Sequence, residues 1–157
     1  MTLVVEYRDA RTLEESARLR RLIALRAMVA SGMTQREIAA QLGISQPAVS
    51  QQLRTSQHVV DVQPETLIKA AAPVLVAVAR TQGFDRLAVF GSIARREARA
   101  DSDIDLLVDP PPGAALKELL SLRHIFQEIL GRPVDLVTYG ALKTGIDDDI
   151  RREAVAL

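Results

Sequence analysis

The sequence predicts an α+β protein in which an all-α N-terminal domain is followed by a small α/β domain with a short mixed sheet. Two observations lead to this class. Apolar residues recur at helical spacing across residues 12–54, and short apolar runs alternate with helical segments after Pro64. A chain of 157 residues has room for two small domains. We expect the domains at residues 1–55 and 67–157, joined by a linker at 56–66.

Composition restricts the class of protein. Hydrophobic residues make up 48% of the chain but aromatic residues only 3%, so the core must be aliphatic. The absence of cysteine excludes disulfides and cysteine-ligated zinc, and it favours an intracellular protein. No apolar run approaches the roughly 18–20 residues that span a bilayer, so we expect a cytoplasmic protein without membrane contact. Residues 1–54 hold eight Arg and five acids, about +3, which leaves about −3 for the remainder and weakly indicates two modules with different partners.

The N-terminal domain is predicted to begin with a helix over residues 12–32. Its apolar residues have helical spacing, Thr12 suits the N-cap with Glu15 as capping-box partner, and Gly32 suits the end. The linker contains turn formers and one proline, and a short extended piece is expected at HVVDV (58–62).

Residues 34–54, TQREIAAQLGISQPAVSQQLR, have the spacing of two short helices joined by a tight turn. Thr34 caps the first helix, Gly43 supplies the turn and Ser45 caps the second. The side chains expected to face inward are Ile38, Leu42, Val49 and Leu53. This is the helix-turn-helix pattern, in which the second helix enters the major groove of DNA.

The second helix of this pair carries amide, hydroxyl and guanidinium side chains suited to DNA. Glutamine reads adenine edges, and serine or arginine holds phosphates. The residues predicted to contact DNA are Gln46, Ser50, Gln51 and Arg54. The stretch resembles the helix-turn-helix of phage-repressor-like bacterial regulators, which implies dimers on double-stranded operator DNA. The alternative is a helical hairpin that packs against another domain or subunit, because the second helix is poor in Lys and Arg.

Strands and helices are predicted to alternate after the linker. The helix over residues 65–82 contains Pro73, which is expected to kink or split it. The predicted strands are 86–91, 103–109 and 133–138. The predicted helices between and after the strands are 92–99, 115–131 and the remainder of the chain.

Three aspartates lie within the second and third predicted strands. Because alternate strand residues share a face, Asp103 and Asp105 project together while Ile104 points into the core. Two neighbouring carboxylates raise each other's pKa unless a cation neutralises them, and Mg²⁺ prefers carboxylates and phosphate oxygens. Asp135 stands alone among apolar residues of the third strand. Three acids on neighbouring strands can hold two metals for an in-line displacement at phosphorus.

A Gly-Ser pair precedes these aspartates. Gly91 ends a predicted strand and allows the backbone to approach a phosphate, and Ser92 begins a helix whose N-terminus favours an anion. Carboxylates that bind metal, opposite a phosphate cradle, describe a nucleoside triphosphate site for phosphoryl or nucleotidyl transfer.

Other sites fit this pattern less well. Asp101, Asp103 and Asp105 begin like an EF-hand loop, but Leu106 stands where that loop requires Gly. A Walker A loop is absent from the sequence. Asp-x-Asp alone is a weak signal, and the purely structural interpretation makes Asp103 a strand-edge or cap residue.

Residues 86–157 resemble the nucleotidyltransferases of the polymerase-beta superfamily, and more closely the minimal nucleotidyltransferases. The resemblance runs through FGSIARREARADSDIDLLVD, VDLVTYGAL and IRREAVAL. It implies a polymerase-beta-like fold, Mg²⁺ as cofactor and ATP as substrate. It also implies that Asp103 and Asp105 bind both metals and that Asp135 assists activation of the attacking hydroxyl.

The same resemblance implies that the nucleotide is held by Gly91, Ser92 and Arg95. The sequence departs from the family pattern at Ile93, where many relatives have Arg, and at Arg96, where Gly is frequent. The first departure removes one phosphate contact that relatives have.

Members of this family are often antitoxins paired with a HEPN-domain ribonuclease toxin. They transfer AMP from ATP to a tyrosine of that toxin, and a fused helix-turn-helix implies repression of the shared operon by a homodimer or a toxin–antitoxin hetero-oligomer. One alternative is a DNA-binding regulator that neutralises the toxin by direct complex formation through a catalytically weak domain. Another is transfer to a small molecule, although such relatives carry a larger substrate domain.

Overall fold

The N-terminal part of the protein is entirely helical in a computed structural model that describes residues 2–157. A 3₁₀ turn at Gln57–Asp61 joins the third helix to the fourth. The helices are α1 (Leu3–Ala30), α2 (Gln35–Leu42), α3 (Gln46–Ser56) and α4 (Pro64–Thr81). None of the helices within residues 2–157 combines the length and apolar character needed to cross a membrane.

A four-stranded mixed sheet forms the second half of the structure. Its strands are β1 (Asp85–Phe90), β2 (Ile104–Asp109), β3 (Val134–Thr138) and β4 (Val155–Ala156). The strand order is β3-β2-β1-β4; β2 and β3 are parallel, whereas β1 is antiparallel to both of its neighbours. The accompanying helices are α5 (Gly91–Ala94), α6 (Leu116–Leu130) and α7 (Asp148–Glu153). The predicted α+β class with a short mixed sheet is therefore confirmed.

The first helix begins about three turns earlier than predicted. Thr2 is the N-cap, and its side chain accepts a hydrogen bond from the backbone N–H of Val5. Thr12 lies inside the helix, where its hydroxyl donates to the carbonyl of Arg8. The apolar period marks only the buried part of α1, and because no Gly or Pro interrupts residues 3–11 the helix extends through its exposed, charged portion.

Three further local predictions are wrong. The split predicted at Pro73 does not occur, because this residue lies exposed inside the single helix α4. The stretch HVVDV forms a 3₁₀ turn rather than an extended piece, because Val59 turns inward and is buried. The chain does not remain helical to its end, because β4 pairs with β1 and covers what would be an open sheet edge.

Helix α1 contributes to two separate apolar cores. Ile23 and Ala27 pack into the main core, which α4 and α6 form with one face of the sheet. Leu25 instead packs against Ile38 and Val49, in the small core of α2 and α3. One helix thus joins the helix-turn-helix to the α/β domain.

Arg26 links the same elements through hydrogen bonds. Its Nε donates to the carbonyl of Ile129 at 2.7 Å and its Nη2 to that of Glu128 at 2.6 Å, at the C-terminal end of α6. Its Nη1 donates to the carbonyl of Ser56 at 3.3 Å, where α3 ends. Burial lowers the pKa of Arg26 from its usual value, and a half-buried guanidinium needs these acceptors.

Arg26→Met is expected to lower the free energy of unfolding by about 2–3 kcal/mol, because helix-end carbonyls lose their donor while the apolar stem of the side chain is preserved. Urea titration followed by circular dichroism measures the change. Arg20→Met, at an exposed position of the same helix, is the matched control and should change stability by less than about 0.5 kcal/mol. Equal effects of the two substitutions would show that the hydrogen bonds of Arg26 do not stabilise the fold.

Candidate functional site

Two of the three aspartates lie on adjacent parallel strands, and the third immediately precedes one of these strands. Asp105 of β2 is in register with Asp135 of β3, so both side chains belong to the same face of the sheet. Ile104 and Leu106 are fully buried on the opposite face, as the predicted alternation requires. Asp103 precedes β2 and is exposed, whereas Asp105 is half-buried.

Asp105 is electrostatically the most constrained of these acids. Burial raises its pKa above the usual carboxyl value, and repulsion from Asp135 and Asp103 raises it further. The positive charge of Arg95 acts in the opposite direction. A carboxylate in such surroundings gains from a cation beside it, which is the electrostatic condition for a metal site.

Gly91 brings the Gly-Ser turn into contact with this acid. Its φ is +70°, in the left-handed region, and a Cβ at this position would lie 2.2 Å from Oδ2 of Asp105. Phe90, the residue before it, is paired with Asp105 across β1 and β2. The Gly-Ser turn and the Asp-x-Asp strand are therefore parts of one site, and only glycine leaves room for the carboxylate.

The segment after Gly91 differs from its prediction. The predicted helix over 92–99 ends at Ala94, because Arg96 has φ +58° in the left-handed region. Glycine adopts this backbone conformation most readily, which fits the family pattern that the resemblance implied at Arg96. A helix of four residues has only a small dipole, so the expected anion preference of its N-terminus contributes little here.

Ile93 is a core residue of this protein. Its side chain is 6% exposed and packs in the main core, with α5 held against β1 and β2. An apolar residue at this position therefore stabilises the turn that carries Ser92, which is half-buried at the start of α5.

Glu153 completes the site and was not identified from the sequence. The backbone N–H of Gly91 donates to its Oε1 at 2.9 Å. Nη1 of Arg95 donates to both of its oxygens, at 3.2 and 3.1 Å. Hydrogen bonds to Glu153 and then Glu97 raise the pKa of Arg95. Glu153 lies in the stretch IRREAVAL, but no pattern in that stretch distinguishes this acid from its neighbours.

The donor set suits a hard divalent cation, because it consists of carboxylate oxygens that repel one another. As the side chains stand within residues 2–157, no three acidic or histidine groups converge closely enough to form a ready metal-ligand cluster. The aspartate side chains would therefore need to reorient to hold a metal, with Asp103 two residues before Asp105 and Asp135 paired with Asp105 on β3.

The helix-turn-helix forms as its caps predict. Thr34 and Glu37 make the reciprocal capping box, Gly43 adopts the left-handed conformation at φ +66°, and the Ser45 hydroxyl caps α3. The inward orientation of Leu42 is wrong, since its side chain is 46% exposed. Leu42 is the last residue of α2, next to the turn at Gly43, and lies outside the small core.

The four predicted DNA contacts lie along α3 in different settings. Gln51 and Arg54 are exposed and do not belong to the small core, whereas Ser50 is half-buried. Gln46 is exposed, but its Nε2 donates to Oε1 of Gln35 at 2.8 Å. Sequence reasoning missed a groove of about 300 Å³ between α3 and α1, where Arg18 and Arg21 face Gln51, Gln52 and Thr55.

Comparison with known families gives matches to two parts of the chain. The nucleotidyltransferase domain family matches residues 75–157. The ArsR family of bacterial regulatory proteins matches residues 19–55. The helix-turn-helix is therefore similar in sequence to that of ArsR-type regulators, whereas its spacing resembled the phage-repressor-like type.

Individual relatives cover the α/β part. An inferred protein adenylyltransferase of Methanocaldococcus jannaschii is 37% identical over 81 residues, which are 52% of this chain and 87% of that protein. Protein adenylyltransferase MntA of Thermococcus cleftensis is 41% identical over 73 residues, 46% of this chain and 74% of that protein. A solved structure described as an inferred minimal nucleotidyltransferase aligns with a TM-score of 0.54 and 34% identity, over 59% of this chain and 95% of that one.

Proposed function

The chain belongs to the nucleotidyltransferase family, and from that premise we propose that it transfers AMP from ATP to a hydroxyl group of a partner protein. The observation that carries the proposal is the contact of Asp105 with Gly91, beside Asp135 in register, because it joins all parts of the predicted site. The names of the relatives support protein as the acceptor.

The chemistry follows from the roles assigned to these residues. Asp103, Asp105 and Asp135 would hold Mg²⁺, which supplies charge neutralisation and a template for the displacement. Gly91, Ser92 and Arg95 would hold the phosphates. The acceptor oxygen forms a bond to the α-phosphorus, the bond to pyrophosphate breaks, and the hydroxyl proton passes to Asp135, which is exposed at the edge of the site.

The biological role we propose is that of an antitoxin. Its partner would be a HEPN-domain toxin modified by AMP transfer, and its helix-turn-helix would bind double-stranded operator DNA as a homodimer or a toxin–antitoxin hetero-oligomer. We place the modules at residues 1–55 and 67–157, with 56–66 between them. This division is supported by the ArsR match, which ends at residue 55, and by the nucleotidyltransferase match, which begins at residue 75. Because ATP and operator DNA are available in the cytoplasm, the proposed activity implies that location.

Label transfer from α-phosphate-labelled ATP with Mg²⁺ tests the activity. The protein is assayed alone and with lysate or a co-purifying partner from its host, beside Asp103→Ala. A labelled partner band that is lost in the variant is expected. No transfer in any pairing, by a protein that still retards its promoter fragment, would favour a regulator that acts by direct complex formation.

Arg54→Ala is expected to weaken binding to all DNA sequences and to reduce the slope of log K against log salt by about 1, since it removes one phosphate contact. Gln51→Ala should instead relax sequence preference with little change in that slope. Fluorescence anisotropy with a promoter fragment, between low and physiological salt, measures both. Arg123→Ala, at an exposed position of α6, is the charge-matched control, and a slope change there equal to that of Arg54→Ala would refute the assignment.

A further inference from the structure

Glu153 bonds to two of the groups that the proposed function assigns to phosphate. One of its oxygens accepts from the N–H of Gly91, and both accept from Nη1 of Arg95. Its side chain is only 22% exposed, whereas that of Arg95 is 47% exposed. The carboxylate is therefore more buried than the guanidinium, and it also bonds to the backbone at the end of β1.

Arg95 keeps one guanidinium nitrogen clear of Glu97 and Glu153. Its Nε donates to Glu97 at 3.1 Å and its Nη1 donates to Glu153. Because a guanidinium presents five N–H donors in a rigid plane, fixing two of its nitrogens fixes the direction of the third. Nη2 donates to no acceptor within residues 2–157, so it is the nitrogen left for a phosphate oxygen, and phosphate binding and the bond to Glu153 are compatible.

The position of Glu153 is set by the sheet. Val155 and Ala156 of β4 pair with Val89 and Ala88 of β1, and the N–H of Leu157 donates to the carbonyl of Leu87 at 3.0 Å. This pairing fixes the end of α7 next to the end of β1, where Gly91 begins the turn. The pairing of β4 with β1 thus positions the Glu153 carboxylate beside Gly91.

We infer that Glu153 is a positioning residue, which orients Arg95 and fixes the Gly91 turn for the phosphates of the nucleotide. The inference rests on the proposed function, because it concerns how that site holds ATP. Glu153 acts through Arg95 and Gly91 and does not itself contact the nucleotide.

Binding of MgATP to the full-length protein, measured by isothermal titration calorimetry, tests the inference without an acceptor. Glu153→Ala should raise Kd by roughly ten- to a hundredfold, the loss usual when a supporting partner of a site group is removed. Glu153→Gln keeps an acceptor oxygen and should recover part of the affinity. Arg95→Ala/Glu153→Ala should lose less affinity than the sum of the two single losses, since Glu153 acts partly through Arg95 and residues that share a contact are not additive.

Asp149→Asn, which removes an exposed acid from the same helix, is the matched control and should leave Kd unchanged. Thermal melting identifies any variant that does not fold, in which case Glu153→Gln, closest in shape to the original, carries the test with Arg95→Ala. If the wild type binds MgATP and Glu153→Ala binds it equally or more tightly, the inference is overturned but the proposed function is not. Additive losses in the double variant would also overturn it, by showing a structural role. Failure of the wild type to bind MgATP would overturn the proposed function together with the inference.

Discussion

Asp105→Asn is expected to reduce AMP transfer by about a thousandfold or more while making the protein more stable at neutral pH. The loss of activity follows because a metal-binding carboxylate contributes several kcal/mol to charge stabilisation in the transition state, at about 1.4 kcal/mol for each factor of ten. The gain in stability follows because Asn removes a half-buried charge that its neighbours repel. Since Asp103 and Asp135 are exposed and solvent screens them, the gain should be roughly 1 kcal/mol, or about 2–4 °C in melting temperature.

The stability gain should depend on pH in a defined direction. The pKa of Asp105 is raised in the folded state, so between its unfolded and folded pKa values the folded protein binds more protons and the free energy of unfolding falls as pH rises. Above the folded pKa the full penalty applies. The advantage of Asn should therefore be present at pH 7 and disappear by about pH 4, near the ordinary carboxyl pKa.

Thermal melts at both pH values, with chelator present, measure this difference. Asp109→Asn in the same strand is the matched control: it breaks the 2.8 Å ion pair with Arg86, so it should not stabilise the protein, and it should leave transfer unchanged. A gain for Asp105→Asn that is independent of pH would show that relief of charge is not its cause.

Gly91→Ala should abolish most activity by a steric route. The new Cβ would lie 2.2 Å from Oδ2 and 3.1 Å from Cγ of Asp105, so the carboxylate must move. A displacement of about 1 Å at a reacting centre can cost on the order of a hundredfold in rate. Overpacking together with the left-handed backbone should lower the free energy of unfolding by about 2–4 kcal/mol.

Gly113→Ala separates these two causes. Gly113 has φ +77°, close to that of Gly91, but a Cβ there would meet nothing within 4 Å. It should show only the backbone term, about 1 kcal/mol, with unchanged transfer. Denaturant titration and label transfer on both variants provide the comparison. Equal activity losses would mean that contact with Asp105 is not what requires glycine at position 91.

The strand aspartates and the Gly-Ser turn were predictable because their signals are local. Alternation along β2 separates Asp105 from Ile104 and Leu106 whatever the rest of the fold does, and the caps of α2 and α3 are written within a few residues. The register that places Asp105 beside Asp135 was expected only as neighbouring strands, and the structure supplies the pairing itself.

The C-terminal strand and Glu153 could not be predicted in the same way. Val155 and Ala156 form a strand because β1 has an open edge, a property of the assembled sheet rather than of those residues. Glu153 gains its role from that pairing. Ile93 shows the converse: judged from the family pattern it is a missing phosphate contact, whereas its burial makes it part of the core.

Helix α1 couples the unfolding of the two modules. Ile23 and Ala27 complete one core and Leu25 the other, so unfolding α1 exposes apolar surface of both at once. For a cellular protease that cleaves unfolded segments, opening this helix makes the whole chain a substrate. Repression and the capacity for AMP transfer, if carried by this chain as proposed, would then decay with a single half-life. Newly made toxin would go unmodified as the operon is released, while toxin that already carries AMP keeps it.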